Sequence, residues 1–119
     1  MCVYLHYGEV RELSSEAKRQ IDRADELLIS PMVLLEFDYL FQRKRIATPA
    51  KELYATLNTS FGISICAIPF GMIAAEAIGI EWTMDPFDRL IVASALVDHR
   101  SPLITRDRLI RDHYAEAVW

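Results

Sequence analysis

Apolar residues recur at helical spacing through Leu13, Ala17, Ile21 and Ala24, directly behind Ser14, a residue type that caps helix starts. This pattern predicts a first helix over 14–24. The short unbroken apolar run Leu27-Leu28-Ile29-Ser30 reads as a buried strand, and Ser30-Pro31 opens a helix that runs to Arg43. Thr48-Pro49 starts another helix through about Leu57. Ile63, Ile65 and Ile68 suggest a second strand over 61–68, interrupted by Gly62. A helix of small residues over 72–78, a connector over 79–84 and a longer helix over 85–97 come next, the last packing through Leu90, Ile91, Ser94 and Ala95. Leu103-Ile104-Thr105 is a third short strand, 107–113 a last helix, and Ala117-Val118-Trp119 a terminal apolar stretch. Strands alternating with helices imply an α/β sandwich in which a central parallel sheet is flanked by helices through right-handed crossovers. The 119 residues suit one domain, 1–119.

Composition narrows the functional classes. A net charge of −4 argues against broad affinity for nucleic acid, which needs a basic face, but leaves nucleic acid open as a substrate. Two local basic groups, Arg43-Lys44-Arg45 and the set Arg106, Arg108 and Arg111, either hold phosphates or form solvated surface. Cys2 and Cys66 match neither a disulfide framework nor a zinc spacing, which fits a reduced, cytoplasmic setting. The segment 1–10 is too short and polar for a signal peptide, and the apolar run 63–75 contains Pro69 and Gly71, so no membrane span is expected.

Three acids carry the candidate chemistry. Glu36 has Met32, Val33, Tyr39 and Leu40 as its helical neighbours at three and four positions, all without charge, so its carboxylate needs a cation, a proton or a polar cleft. Asp85-Pro86-Phe87-Asp88 reads as N-cap, first and third helical positions, where either acid also stabilises the helix end. Asp107 comes after a strand and either caps the last helix or meets a ligand at the sheet's C-terminal edge, with Thr105 a rival cap. Convergence of Glu36, Asp88 and Asp107 would generate repulsion that a hard divalent ion, Mg2+ or Mn2+, relieves, and such an ion supports phosphodiester hydrolysis. Glycine-rich phosphate loops and nucleophile elbows are absent, and His6, His99 and His113 show no metal spacing, so each is expected at the surface.

These residues resemble the PIN domain family, in particular the VapC-type toxins of toxin and antitoxin pairs. The resemblance runs through Leu13-Ser14 with Ala17, then Ile29-Ser30-Pro31-Met32-Val33-Leu34-Leu35-Glu36, then Asp85-Pro86-Phe87-Asp88-Arg89-Leu90-Ile91 and Leu103-Ile104-Thr105-Arg106-Asp107. It implies a PIN-like three-layer sandwich and a Mg2+-dependent (or Mn2+-dependent) endoribonuclease acting on RNA through metal-activated water. The metal-site and catalytic acids would be Glu36, Asp88 and Asp107, with Asp85 auxiliary and Thr105 and Arg89 supporting. A homodimer and a cognate antitoxin are also implied.

The family pattern begins with an apolar strand ending in a metal-binding Asp, and no such Asp is present here. Counting back from Leu13-Ser14 makes Cys2-Val3-Tyr4-Leu5 the segment after that Asp, so the chain is expected to lack the first strand. A second alignment makes 1–5 the strand and puts His6 at the acid's position, at the cost of a short connection to Leu13. Two further readings stay open: a catalytically inactive PIN remnant that keeps dimerisation or antitoxin binding, and an unrelated α/β binding module whose acids are only helix caps.

Overall fold

The computed structural model describes residues 1–6 and 13–119. Among these residues five strands form one sheet: β1 (Cys2–Leu5), β2 (Glu26–Ile29), β3 (Ser64–Ile65), β4 (Leu103–Ile104) and β5 (Ala117–Val118). Their spatial order is β3-β2-β1-β4-β5, and every pair is parallel. Among the described residues six helices lie between them and flank the sheet: α1 (Ser15–Arg23), α2 (Pro31–Gln42), α3 (Ala50–Phe61), α4 (Phe70–Ile78), α5 (Pro86–Val97) and α6 (Arg108–His113). Parallel neighbours require such crossovers, so the alternating pattern in the sequence dictates the α/β sandwich.

The central position belongs to β1, which corrects the expectation that the first strand is missing. Val3, Tyr4 and Leu5 are almost fully buried, and β1 pairs with β2 through Val3 and Leu27 and with β4 through Leu5 and Ile104. A four-residue apolar strand buried on both faces shows no alternation, which is why its start could be misjudged from the pattern. The short connection that spoke against this alignment passes through 7–12, outside the described residues.

Other differences are local. Helix α3 runs four residues beyond its expected end, to Phe61, and stops at Gly62, whose φ of 67° is the left-handed conformation glycine adopts most readily. The strand expected over 61–68 therefore shrinks to Ser64–Ile65. The terminal apolar stretch pairs with β4 as a fifth strand.

Helix α5 explains how the sheet positions a site. Ile91 to Ala95 are consecutively buried, so the helix is enclosed nearly all round and packs chiefly against α4 and α2. Ala93, Ser94 and Ala95 are small enough for close approach. The Ser94 hydroxyl donates to the Leu90 carbonyl at 2.9 Å and lies 3.2 Å from the Ser30 hydroxyl, which caps α2 by accepting the Met32 N–H. This contact fixes α2 and α5 in register with each other. Among the described residues no helix is long and apolar enough to cross a membrane.

The position of β1 predicts its exchange behaviour. The Tyr4 and His6 amides donate to the Pro102 and Ile104 carbonyls, each at 2.9 Å. In native-state hydrogen exchange they should be among the slowest amides, opening only with global unfolding; rapid exchange at both would contradict a central β1.

Candidate functional site

Each strand of a parallel sheet delivers the residue after its last one to the same edge, and here three strand ends supply a cluster. His6 comes directly after β1, Thr105 directly after β4, and β2 leads through Ser30 into α2, which carries Glu36 in its second turn. The N-terminus of α5 adds Asp88. The ligand atoms of His6, Glu36 and Asp88 all lie within 4.8 Å of one another.

Local sequence fixes each of these side chains. On α2, Val33 and Phe37 face the core and Leu35 faces solvent, which leaves Glu36 at the boundary with 23% of its side chain exposed. On α5, Asp85 caps the helix by accepting the Phe87 N–H at 2.8 Å, Pro86 takes the first helical position, and Asp88 points inward at 9% exposure. His6 is held at both ring nitrogens: Nδ1 lies 2.8 Å from Thr105 Oγ1 and Nε2 lies 2.9 Å from Glu36 Oε1. An ionised Glu36 only accepts, so Nε2 donates to it. Thr105 is buried, and its hydroxyl also accepts the Asp107 N–H at 3.0 Å.

His6 is thus a site residue that the histidine spacing concealed, and its expected surface position is corrected: its side chain is only 8% exposed. The signal that could have found it was the second alignment, which put His6 at the end of the first strand. His99 and His113 are exposed, as expected.

The remaining acids hold more than one role. Asp107 caps α6, its Oδ1 accepting the Ile110 N–H at 3.1 Å, and it is not one of the three residues whose ligand atoms gather. Its charge still reaches both Asp88 and His6. Asp85 acts the same way, as an exposed cap whose charge reaches Asp88. Arg89 does not face the acids: its guanidinium donates to the Ala77 carbonyl at 3.2 and 3.0 Å and to the Ile78 carbonyl at 3.4 Å, tying α5 to the end of α4.

Charge dominates this edge. Burial first, then the nearby Asp85 and Asp107, with Glu36 adding to them, push the Asp88 carboxyl up to about 6, against the opposing effect of His6. Burial would lower the His6 pKa, but the hydrogen bond and charge of Glu36, joined by Asp88 and Asp107, outweigh it and raise the imidazole above its ordinary value. A buried carboxylate repelled by its neighbours, beside a second carboxylate and a fixed imidazole, is a donor set that a divalent cation fits.

Comparison with known proteins agrees with the fold. Residues 1–116 match the model of the PIN domain. Ribonuclease VapC22 of Mycobacterium tuberculosis (strain ATCC 25618 / H37Rv) is 31% identical over 111 residues, covering 92% of this chain and 85% of that protein. The crystal structure of VapBC2 from Rickettsia felis bound to a DNA fragment from their promoter is 16% identical, with a TM-score of 0.58 over 99% of this chain and 96% of that one. The last shows likeness of fold.

The raised Asp88 pKa has a definite sign in stability. The folded protein holds this proton more tightly than an unfolded chain does, so stability linked to Asp88 is greatest below about pH 4 and is lost as pH rises through about 6. Asp88→Asn should therefore stabilise the metal-free protein at pH 7 by about 1–2 kcal/mol, after a small loss of helix-dipole energy. Urea denaturation in EDTA at pH 4 and pH 7 checks it. Equal destabilisation at both values would mean that Asp88 serves only the helix end.

Proposed function

The chain belongs to the PIN domain family, in its VapC type, and from that premise we propose that it is a divalent-metal-dependent endoribonuclease, the toxin of a toxin and antitoxin pair. The observation that carries this reading is the convergence of Glu36 and Asp88 on His6 at the C-terminal edge of the sheet. The name of the similar ribonuclease supports RNA as the substrate.

In this reading Glu36 and Asp88 hold Mg2+ or Mn2+, with Asp107 and Asp85 adding negative field from their capping positions. The bound ion supplies activated water and stabilises charge on a phosphoryl oxygen. Thr105 orients the His6 ring, and the hydrogen bond between the two keeps the imidazole edge turned toward the acids. Exposed Arg106, Arg108 and Arg111 stand on and beside α6, close in sequence to Asp107, where they suit phosphate contacts with an RNA backbone.

Two partners belong to the same reading. A cleft of about 540 Å³ between α2 and α3, lined by Leu34, Leu35, Phe41 and Tyr54 among others, suits an apolar antitoxin segment. Exposed Phe70, Met72, Ile78 and Met84, on α4 and the loop after it, suit a homodimer face.

One observation favours a second reading, that of an inactive PIN domain retaining only protein binding. The end of β1, where the family pattern has a metal-binding Asp, carries His6. Cleavage of a mixed RNA panel decides between the two. The first reading predicts cleavage with Mn2+, none with EDTA, and a loss of about 100-fold or more in Glu36→Gln and Asp88→Asn. A folded chain that leaves every RNA intact would support the second.

A further inference from the structure

The cation site proposed above is a mixed nitrogen and oxygen site, and its nitrogen is built in. His6 is almost fully buried and sits at the end of the central strand, where backbone pairing on both sides of β1 leaves it little freedom. One ring nitrogen meets Thr105 Oγ1, and the other faces the Glu36 carboxylate with Asp88 close by. This is how a metal-binding histidine is normally prepared: an oxygen holds one nitrogen and directs the other at the ion. The threonine hydroxyl can donate or accept, so it serves the ring whether or not Nε2 carries a proton.

Building on the cation-site reading, we propose that His6 sets the metal preference of this protein, with His6 Nε2, Glu36 and Asp88 selecting Mn2+, Co2+ and Zn2+ over Mg2+. Mg2+ is a hard ion that demands near-ideal octahedral oxygen geometry and gives up its waters reluctantly. An imidazole on one face replaces an oxygen that Mg2+ prefers, whereas the first-row ions accept nitrogen beside carboxylate and bind with affinity rising along their series. An Asp at position 6 would give an all-oxygen set and more charge to attract Mg2+. The histidine supplies a better ligand for the later ions and lowers the site's net negative charge by one unit relative to that Asp. Thr105 is a positioning residue for this preference, acting on the ion through the ring of His6.

Isothermal calorimetry of the full chain with each of the four ions, at fixed pH and ionic strength, tests the proposal without recourse to cleavage. The wild type should bind Mn2+ about tenfold or more tightly than Mg2+, with Co2+ and Zn2+ tighter than Mn2+. The visible spectrum of the Co2+ form should change in His6→Asn, reporting loss of the nitrogen ligand. His6→Asp should narrow the ratio of Mn2+ to Mg2+ affinity by about tenfold, and Thr105→Val should weaken Co2+ binding by about 10-fold. His6→Asn provides the comparison if the added acid prevents His6→Asp from folding, with circular dichroism as the check on both. Equal wild-type affinities for Mg2+ and Mn2+, or a ratio unchanged in the His6 variants, would overturn the metal preference while leaving the cation site intact. Failure of the folded wild type to bind any of the four would overturn the preference and the cation site together.

Discussion

The site is governed by repulsion among acids gathered at one edge of a parallel sheet. Glu36 and Asp88 approach from α2 and α5, and Asp107 and Asp85 add further charge from the caps of α6 and α5. Left alone, such a cluster costs free energy through desolvation and like charge, and the rise of the Asp88 carboxyl to about 6 expresses that cost. What offsets it inside the chain is the His6 ring, bonded to Glu36 on one side and Thr105 on the other. Under the proposed function a divalent cation would offset the repulsion of these acids further.

Holding them there needs a rigid scaffold, because charges that repel would otherwise part. The central strand β1 is paired on both sides and carries His6 at its end, so the imidazole beside the acids has firm support. The Ser30 and Ser94 hydroxyls meet in the core and join the start of α2 to the middle of α5, which sets the spacing between Glu36 and Asp88. Arg89 binds α5 to the end of α4. Several polar residues near the acids thus serve the site by fixing its geometry.

Much of this was legible in the order of residues. Helix starts declared themselves through Ser14, Ser30-Pro31 and Asp85-Pro86; Ser14 and Asp85 cap as expected, while Ser30, read as the last residue of a strand, caps α2 instead. The isolated polarity of Glu36 on an apolar helix called for a cation, a proton or a polar cleft, and its carboxylate lies against the His6 ring. What escaped was the register of the first strand. A fully buried strand of four residues carries no alternation to anchor it, so counting back from Leu13 placed it wrongly, and His6 went unrecognised with it. The overlap of capping with charge at Asp107 was visible only as two competing roles, because sequence cannot show that one carboxylate serves both.

Whether His6, Glu36 and Asp88 form one cation site is tested most directly by anomalous diffraction from crystals of this chain soaked in Mn2+. The expected result is a Mn2+ peak bounded by His6 Nε2 and the carboxylates of Glu36 and Asp88, and its loss from Asp88→Asn crystals. A peak elsewhere on the chain, with these three side chains unmoved and without an ion between them, would contradict a shared site.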